Sequence, residues 1–205
     1  NDTIDGGWGN DTLWGGDGID TGDYSSREML QQLRIGEGSG IPGEQDIPNQ
    51  DIEVLIGGAG NDWIEGGWRD NLLIGNGGAD TIFGEDGNDT LVGNGLANSL
   101  FGNGGNDILK SGAGKDVLDG GTGTDMLDYS NRSGEFTEDV KVTLANSLLI
   151  AGDDGGPSDG PADDRDNAWG FEGVTTGDGN DSVTGTDFAD TIITGEGVDA
   201  VDAGA

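Results

Sequence analysis

GGAGNDWIE (57–65), GEDGNDTLV (84–92), GNGGNDILK (102–110) and GGTGTDMLD (120–128) are copies of one nine-residue unit. Between Gly57 and Asp128 eight such units follow one another without a gap, 72 residues in all. Each unit is glycine-rich over its first four places, acidic (or Asn) at the sixth and aliphatic at the eighth. A short fixed period of this kind specifies a stack of equivalent coils, not a two-layer globule. The same unit recurs outside the run. Residues 1–5, GGWGNDTLW (6–14) and GGDGIDTGD (15–23) precede it, and TGDGNDSVT (176–184), GTDFADTII (185–193) and TGEGVDAVD (194–202) follow it.

The period dictates a local geometry. Six places make a turn, where glycine at the first, second and fourth tolerates positive φ or a close neighbour. The last three make a short strand, so the eighth side chain points inward while the seventh and ninth point out. The inward row reads Ile4, Leu13, Ile64, Leu73, Ile82, Leu91, Leu100, Leu109, Leu118, Leu127, Val183, Ile192 and Val201, all aliphatic. Gly22 breaks that row and leaves a gap to be filled.

The pattern G-G-x-G-x-D-x-U-x resembles the calcium-binding nonapeptide of the RTX, or hemolysin-type, repeat proteins. The resemblance implies an all-β parallel β-roll (β-solenoid) of nine-residue half-coils, with units two apart stacked on one edge. It also implies several Ca2+ ions held between stacked turns by sixth-place carboxylates and main-chain carbonyls. The expected metal ligands are Asp62, Asp80, Asp89, Asp107, Asp116, Asp125, Asp181 and Asp199, with Asp2, Asp11, Asp20 and Asp190 in the flanking blocks. One edge of the main block carries Asp62, Asp80, Asn98 and Asp116; the other carries Asn71, Asp89, Asp107 and Asp125. The full Asp pairs there are 62/80, 89/107 and 107/125, while 181/199 and 2/20 pair outside it. Two units depart from the pattern, with Arg69 and Leu96 at the fourth place and Asn at the sixth, and are expected to hold metal weakly or not at all. The competing reading is that each sixth-place Asp only caps its own turn. Charge opposes it, since carboxylates stacked at about 4.8 Å repel without cations.

Composition agrees. Of 205 residues 44 are Gly and 31% are hydrophobic, too little apolar material for an ordinary core of this length. Forty-one acidic residues against 8 basic give a formal charge of −33, which opposes compaction unless cations neutralise it. Nucleic acid is excluded as a partner, and membrane insertion is not expected, for want of a basic footprint and of any long apolar run. With no Cys and no His, disulfides, thiolate chemistry, a zinc-protease motif and a Ser-His-Asp triad are ruled out within these residues.

The organisation is expected as a first roll block (1–25), an insert (26–56), the main block of eight repeats (57–130), a second insert (131–175) and a third block (176–205). Together they read as one elongated domain with its inserts packed laterally. Starting and stopping mid-unit, the chain reads as a slice of a longer polypeptide. Both leading blocks close on Asp-Tyr-Ser, at 23–25 and 128–130, and both inserts end on an apolar residue and a glutamate, Ile52-Glu53 and Phe171-Glu172. Ser26 can cap a short helix over 27–33, although Met29, Gln31, Leu33 and Ile35 alternate as a strand would. Residues 140–144 alternate as a strand, and 36–48 and 152–166 read as loops. Outward apolar residues, Trp63, Phe83 and Phe101 on one face and Leu72, Ile74, Val92 and Ile108 on the other, call for cover. Met29, Leu33, Val140 and Val142 of the inserts are the expected source.

Two functions compete. One is a calcium-folded structural or adhesive module of a secreted or cell-surface protein, exported unfolded through a type I channel. Its partners beyond calcium would be neighbouring copies, other surface proteins or glycans. The other is an accessory module of a secreted polysaccharide-modifying enzyme or hydrolase. No catalytic constellation stands out, because the repeat already accounts for the carboxylate pairs. An ice-binding threonine ladder is interrupted by Trp63, Leu72, Ile108 and Val117.

Overall fold

The computed structural model describes residues 1–28, 32–36, 46–130, 141–144 and 167–204. Strands pair in parallel throughout, and units two apart pair in register, giving a β-solenoid of the β-roll type. The longest sheet stacks nine strands: Thr3–Ile4, Thr21–Asp23, Val54–Ile56, Leu72–Ile74, Thr90–Val92, Ile108–Lys110, Met126–Asp128, Gly173–Gly177 and Thr191–Thr194. Opposite it lie a six-stranded sheet, from Gln32–Arg34 through Trp63–Glu65, Thr81–Asp86, Ser99–Gly104 and Val117–Asp119 to Asn167–Trp169, and two smaller ones.

The core is the eighth-place row, joined by Tyr24, Ile52, Tyr129 and Phe171. Leu73, Leu91, Leu109, Leu127 and Val174 align across one sheet. Leu33, Ile64, Ile82, Leu100, Leu118 and Ala168 align across the other. Nearly all are fully buried, each contributing about 1.5–3 kcal/mol by removal from water. Val201 aligns with Val183 as expected but is 51% exposed, because no described strand stacks on its outer side. The gap at Gly22 is closed by Leu55, Tyr24 and Ile52, whose side chains crowd the space a Cβ would take.

The described parts of the inserts run in line with the roll; they do not lie against its flank. Each insert gives its first strand to the block that follows and its second to the block that precedes. In the first insert Gln32–Arg34 pairs with Trp63–Glu65, and Ile47–Pro48 pairs back onto Thr12–Leu13. In the second, Lys141–Thr143 pairs with Ser182–Thr184, and Asn167–Trp169 pairs back onto Val117–Asp119. The Gly36 N–H donates to the Pro48 carbonyl at 2.7 Å, tying the two strands of the first insert together. The nine-stranded sheet runs unbroken past both joints, while the opposite face is interrupted at each.

Two expectations change accordingly. Leu33, expected to cover an outer face, is a core residue, and the strand reading of its segment prevails over the helix at Gln32–Arg34. Ile47–Pro48, expected as loop, is strand because it completes the sheet begun by Thr12–Leu13. Met29, Gln31, Val140, most of the 36–48 loop and the whole 152–166 loop lie outside the described residues. On the outer face Trp63, Phe83 and Phe101 form a continuous ring stack, with centroids 4.8 and 4.9 Å apart. Among the described residues no helix is long and apolar enough to cross a membrane.

Candidate metal centre

Stacking at an 18-residue interval brings the sixth-place residues into two columns, one along each edge of the roll. On the edge leading into the nine-stranded sheet, each residue donates its main-chain N–H to the side chain of the next. Asp2 donates to Asp20 at 2.6 Å, Asn71 to Asp89 at 2.7 Å, Asp89 to Asp107 at 2.8 Å and Asp107 to Asp125 at 2.8 Å. On the other edge Asp62 donates to Asp80 at 2.9 Å, Asp80 to Asn98 at 3.0 Å, Asn98 to Asp116 at 2.7 Å and Asp181 to Asp199 at 3.0 Å. The pairs expected from the repeat are therefore brought together. Asp190 is half-buried and keeps to its own turn.

One carboxylate oxygen is spent on this ladder, so the second decides what the column can hold. Oδ2 of Asp20, Asp89, Asp107 and Asp125 is buried and has no hydrogen-bond donor. A buried anionic oxygen without a partner costs several kcal/mol unless protonated or met by a cation. Asp11 Oδ2 is buried without a donor as well, whereas at Asp62 and Asp190 that oxygen is satisfied. Asp62 accepts the Gly58 N–H at 2.8 Å and Asp190 the Thr186 N–H at 2.7 Å, so these two do cap their own turns. In the degenerate unit 66–74, Asn71 likewise accepts the Gly67 N–H at 2.8 Å.

The turn backbone supplies further oxygen. A Cβ built on Gly84 would lie 2.6 Å from both Asp89 Oδ2 and the Gly102 carbonyl oxygen. Gly102 stands in the same relation to Asp107 Oδ2 and the Gly120 carbonyl. Carboxylate and carbonyl thus converge beside a first-place residue that must lack a side chain. Among the described residues no three acidic side chains meet at one point, so an ion here would draw on two carboxylates and main-chain oxygens. Calcium accepts that mixture, taking six to eight hard oxygens with tolerant geometry.

Electrostatics agree with geometry. Burial pushes the Asp89 carboxyl up to about 8, with the Asp107 and Asp70 charges adding and the Asn71 N–H opposing. Burial likewise takes Asp125 to about 6 and raises Asp107, in each case against one main-chain hydrogen bond. Without a cation burial favours the protonated form at these sites, and a divalent ion would compete with that proton.

Three acidic residues outside the repeats also sit at the sixth place. Asp46 accepts the Asp11 N–H at 2.8 Å, Glu53 the Asp20 N–H at 3.0 Å and Glu172 the Asp125 N–H at 2.9 Å. Each directly precedes a strand whose second residue falls in the core row. A second ladder uses the fifth place, where Asp70 accepts the Asn88 N–H, Asn88 that of Asn106, and Asn106 that of Thr124, at 2.8–2.9 Å. That accounts for Asn in the recurrent Gly-Asn-Asp triplet.

The family model for the RTX calcium-binding nonapeptide repeat, in four copies, matches residues 1–21, 49–68, 65–95, 92–127 and 175–205. No curated protein matches the chain. Repeats of this family bind Ca2+ at several sites and are non-catalytic. With the match spanning well over half of the sequence, and with its carboxylate columns in the β-roll register, this chain belongs to the RTX calcium-binding nonapeptide repeat family.

Proposed function

We propose that this chain is a calcium-folded structural or adhesive module of a secreted or cell-surface protein. The observation that carries the reading is the run of buried Oδ2 atoms at Asp89, Asp107 and Asp125 with no donor of their own. The principal ligands are then Asp20, Asp89, Asp107 and Asp125. Asp62, Asp80, Asp116, Asp181 and Asp199 serve on the other edge, and Asp2, Asp11 and Asp190 where the flanking blocks allow. A charge of −33 keeps the chain open where calcium is scarce, and millimolar external calcium closes it. A roll held this way is a stiff spacer with two regular outer faces, suited to contacts with neighbouring copies, other surface proteins or glycans.

Circular dichroism with and without calcium tests this directly. The β signal should appear on adding about 1 mM calcium and vanish with excess chelator. Equal β content in both conditions would remove the basis of the proposal.

A further inference from the structure

The regular calcium column has an irregular end. Where the second insert returns to the roll, the turn between strand Asn167–Trp169 and strand Gly173–Gly177 has three residues, Gly170, Phe171 and Glu172, in place of six. Such a turn cannot supply the glycine-rich cradle of a repeat. It nevertheless restores the cradle's oxygens. A Cβ built on Gly120 would strike the Gly170 carbonyl oxygen and lie 3.0 Å from Asp125 Oδ2. This is the relation that Gly102 has to the Gly120 carbonyl and Asp107 Oδ2 one coil earlier. Glu172 takes the sixth place, its carboxylate accepting the Asp125 N–H at 2.9 Å as Asp125 accepts that of Asp107. The extra methylene of Glu over Asp supplies the reach that the shortened turn lacks. Phe171, 1% exposed, fills the space the missing residues leave.

Asp125 is fully buried, and its Oδ2 has no donor. Among the described residues no lysine or arginine pairs with Glu172. At the first joint the arrangement differs. There the Arg69 guanidinium lies 3.4 Å from Glu53, so the protein itself supplies part of the countercharge.

We propose that Asp125 and Glu172, with the Gly170 carbonyl, form a calcium site at the joint between the main block and the second insert. Glu172, a residue outside every repeat, is then a metal ligand. Calcium there fixes the return of a segment 47 residues away in sequence, where a regular site joins residues 18 apart. The insert becomes calcium-locked to the roll. This rests on the reading of the chain as a calcium-folded module.

The test is equilibrium dialysis with radioactive calcium on the full chain and on Glu172→Gln. The Gln amide oxygen can still accept the Asp125 N–H, so the variant removes charge while keeping the hydrogen bond. One fewer ion per chain, with the β signal at saturating calcium unchanged, is the expected result; an unchanged ion count overturns the site. Should the variant fail to fold, diffraction from the native chain grown in calcium decides. An anomalous peak between Asp125 and Glu172 supports the site, and peaks at the 89/107 and 107/125 pairs without one there overturn it. Binding of no calcium anywhere would defeat the broader reading as well.

Discussion

The side-chain nitrogen of Asn94 lies 2.9 Å from Oδ2 of Asp80, 2.8 Å from the Gly78 carbonyl oxygen and 3.3 Å from Oδ1 of Asn98. Asn94 stands at the second place of a degenerate unit, where its neighbours carry glycine or a left-handed residue. Its amide donates to oxygens of the kind that a cation would otherwise gather. The 80/98 step is therefore closed by the protein itself. Replacing Asn94 with Gly should leave Asp80 with a buried unpaired oxygen and destabilise the calcium-free chain by about 1–3 kcal/mol. The same variant should bind one more calcium ion than the parent, as counted by equilibrium dialysis. An unchanged count would mean that Asn98 cannot serve as a ligand even when uncovered.

The raised carboxyls give the metal-free chain an unusual pH response. A group whose folded pKa exceeds its unfolded value contributes stability below the unfolded value, and loses it as pH rises through the folded one. For Asp89 that window runs from the ordinary 3.8 to about 8, and for Asp80 and Asp125 from 3.8 to about 6. In chelator the chain should thus gain β structure on acidification from pH 8 towards pH 4, followed by circular dichroism. In calcium the order reverses, because protons compete for the same oxygens. A chelated chain that folds better at pH 8 than at pH 5 would contradict the burial of these groups.

The regular part of this architecture was legible because two periods agree. Nine-residue spacing predicted both the aliphatic row, from Ile64 to Leu127, and the 18-residue pairing of Asp89 with Asp107, since one residue shift would turn every Leu outward. The inserts were less legible. Leu33 and Ala168 occupy core positions within segments that carry no repeat, so no period marks them. The joint glutamates show the limit best. Their equal distance from the repeats was visible, yet that they occupy the sixth place follows only from the strands they introduce. The sequence also treats Asp62 and Asp107 as equals, whereas the fate of Oδ2 separates them, and that depends on which N–H groups the turn happens to aim at it.

Glycine at the fourth place is required twice over. Gly105 has φ of 137°, and a Cβ there would collide with the Gly87 carbonyl oxygen in the coil below. Gly105→Ala should therefore cost at least about 2 kcal/mol, from left-handed strain together with a backbone clash that cannot relax cheaply. Gly95, third in its unit, has open space around the Cβ position. Gly95→Ala should stay within about 0.5 kcal/mol of the parent. Urea melts in saturating calcium compare them, and equal losses would show that stacking distance does not govern the fourth place.

Asp107 and Asp62 should answer oppositely to the same isosteric change. Asp107 keeps its ladder bond through Oδ1 while Oδ2 lies buried without a donor. Asp107→Asn removes a buried charge, so the calcium-free chain should gain on the order of 1 kcal/mol. It also removes a ligand shared by the 89/107 and 107/125 pairs, so the calcium needed for half-folding should rise by about tenfold or more. At Asp62 the second oxygen accepts the Gly58 N–H at 2.8 Å. An amide nitrogen placed there would oppose one donor with another, and an amide oxygen turned to meet Gly58 would accept that N–H more weakly than the carboxylate does. Asp62→Asn should therefore weaken the calcium-free chain and shift the calcium midpoint less than Asp107→Asn does. Calcium titrations read the midpoint shifts, and the pH at which β structure appears in chelator reads the sign in the calcium-free chain. If the two variants move together in both measurements, the free oxygens do not mark where the metal is held.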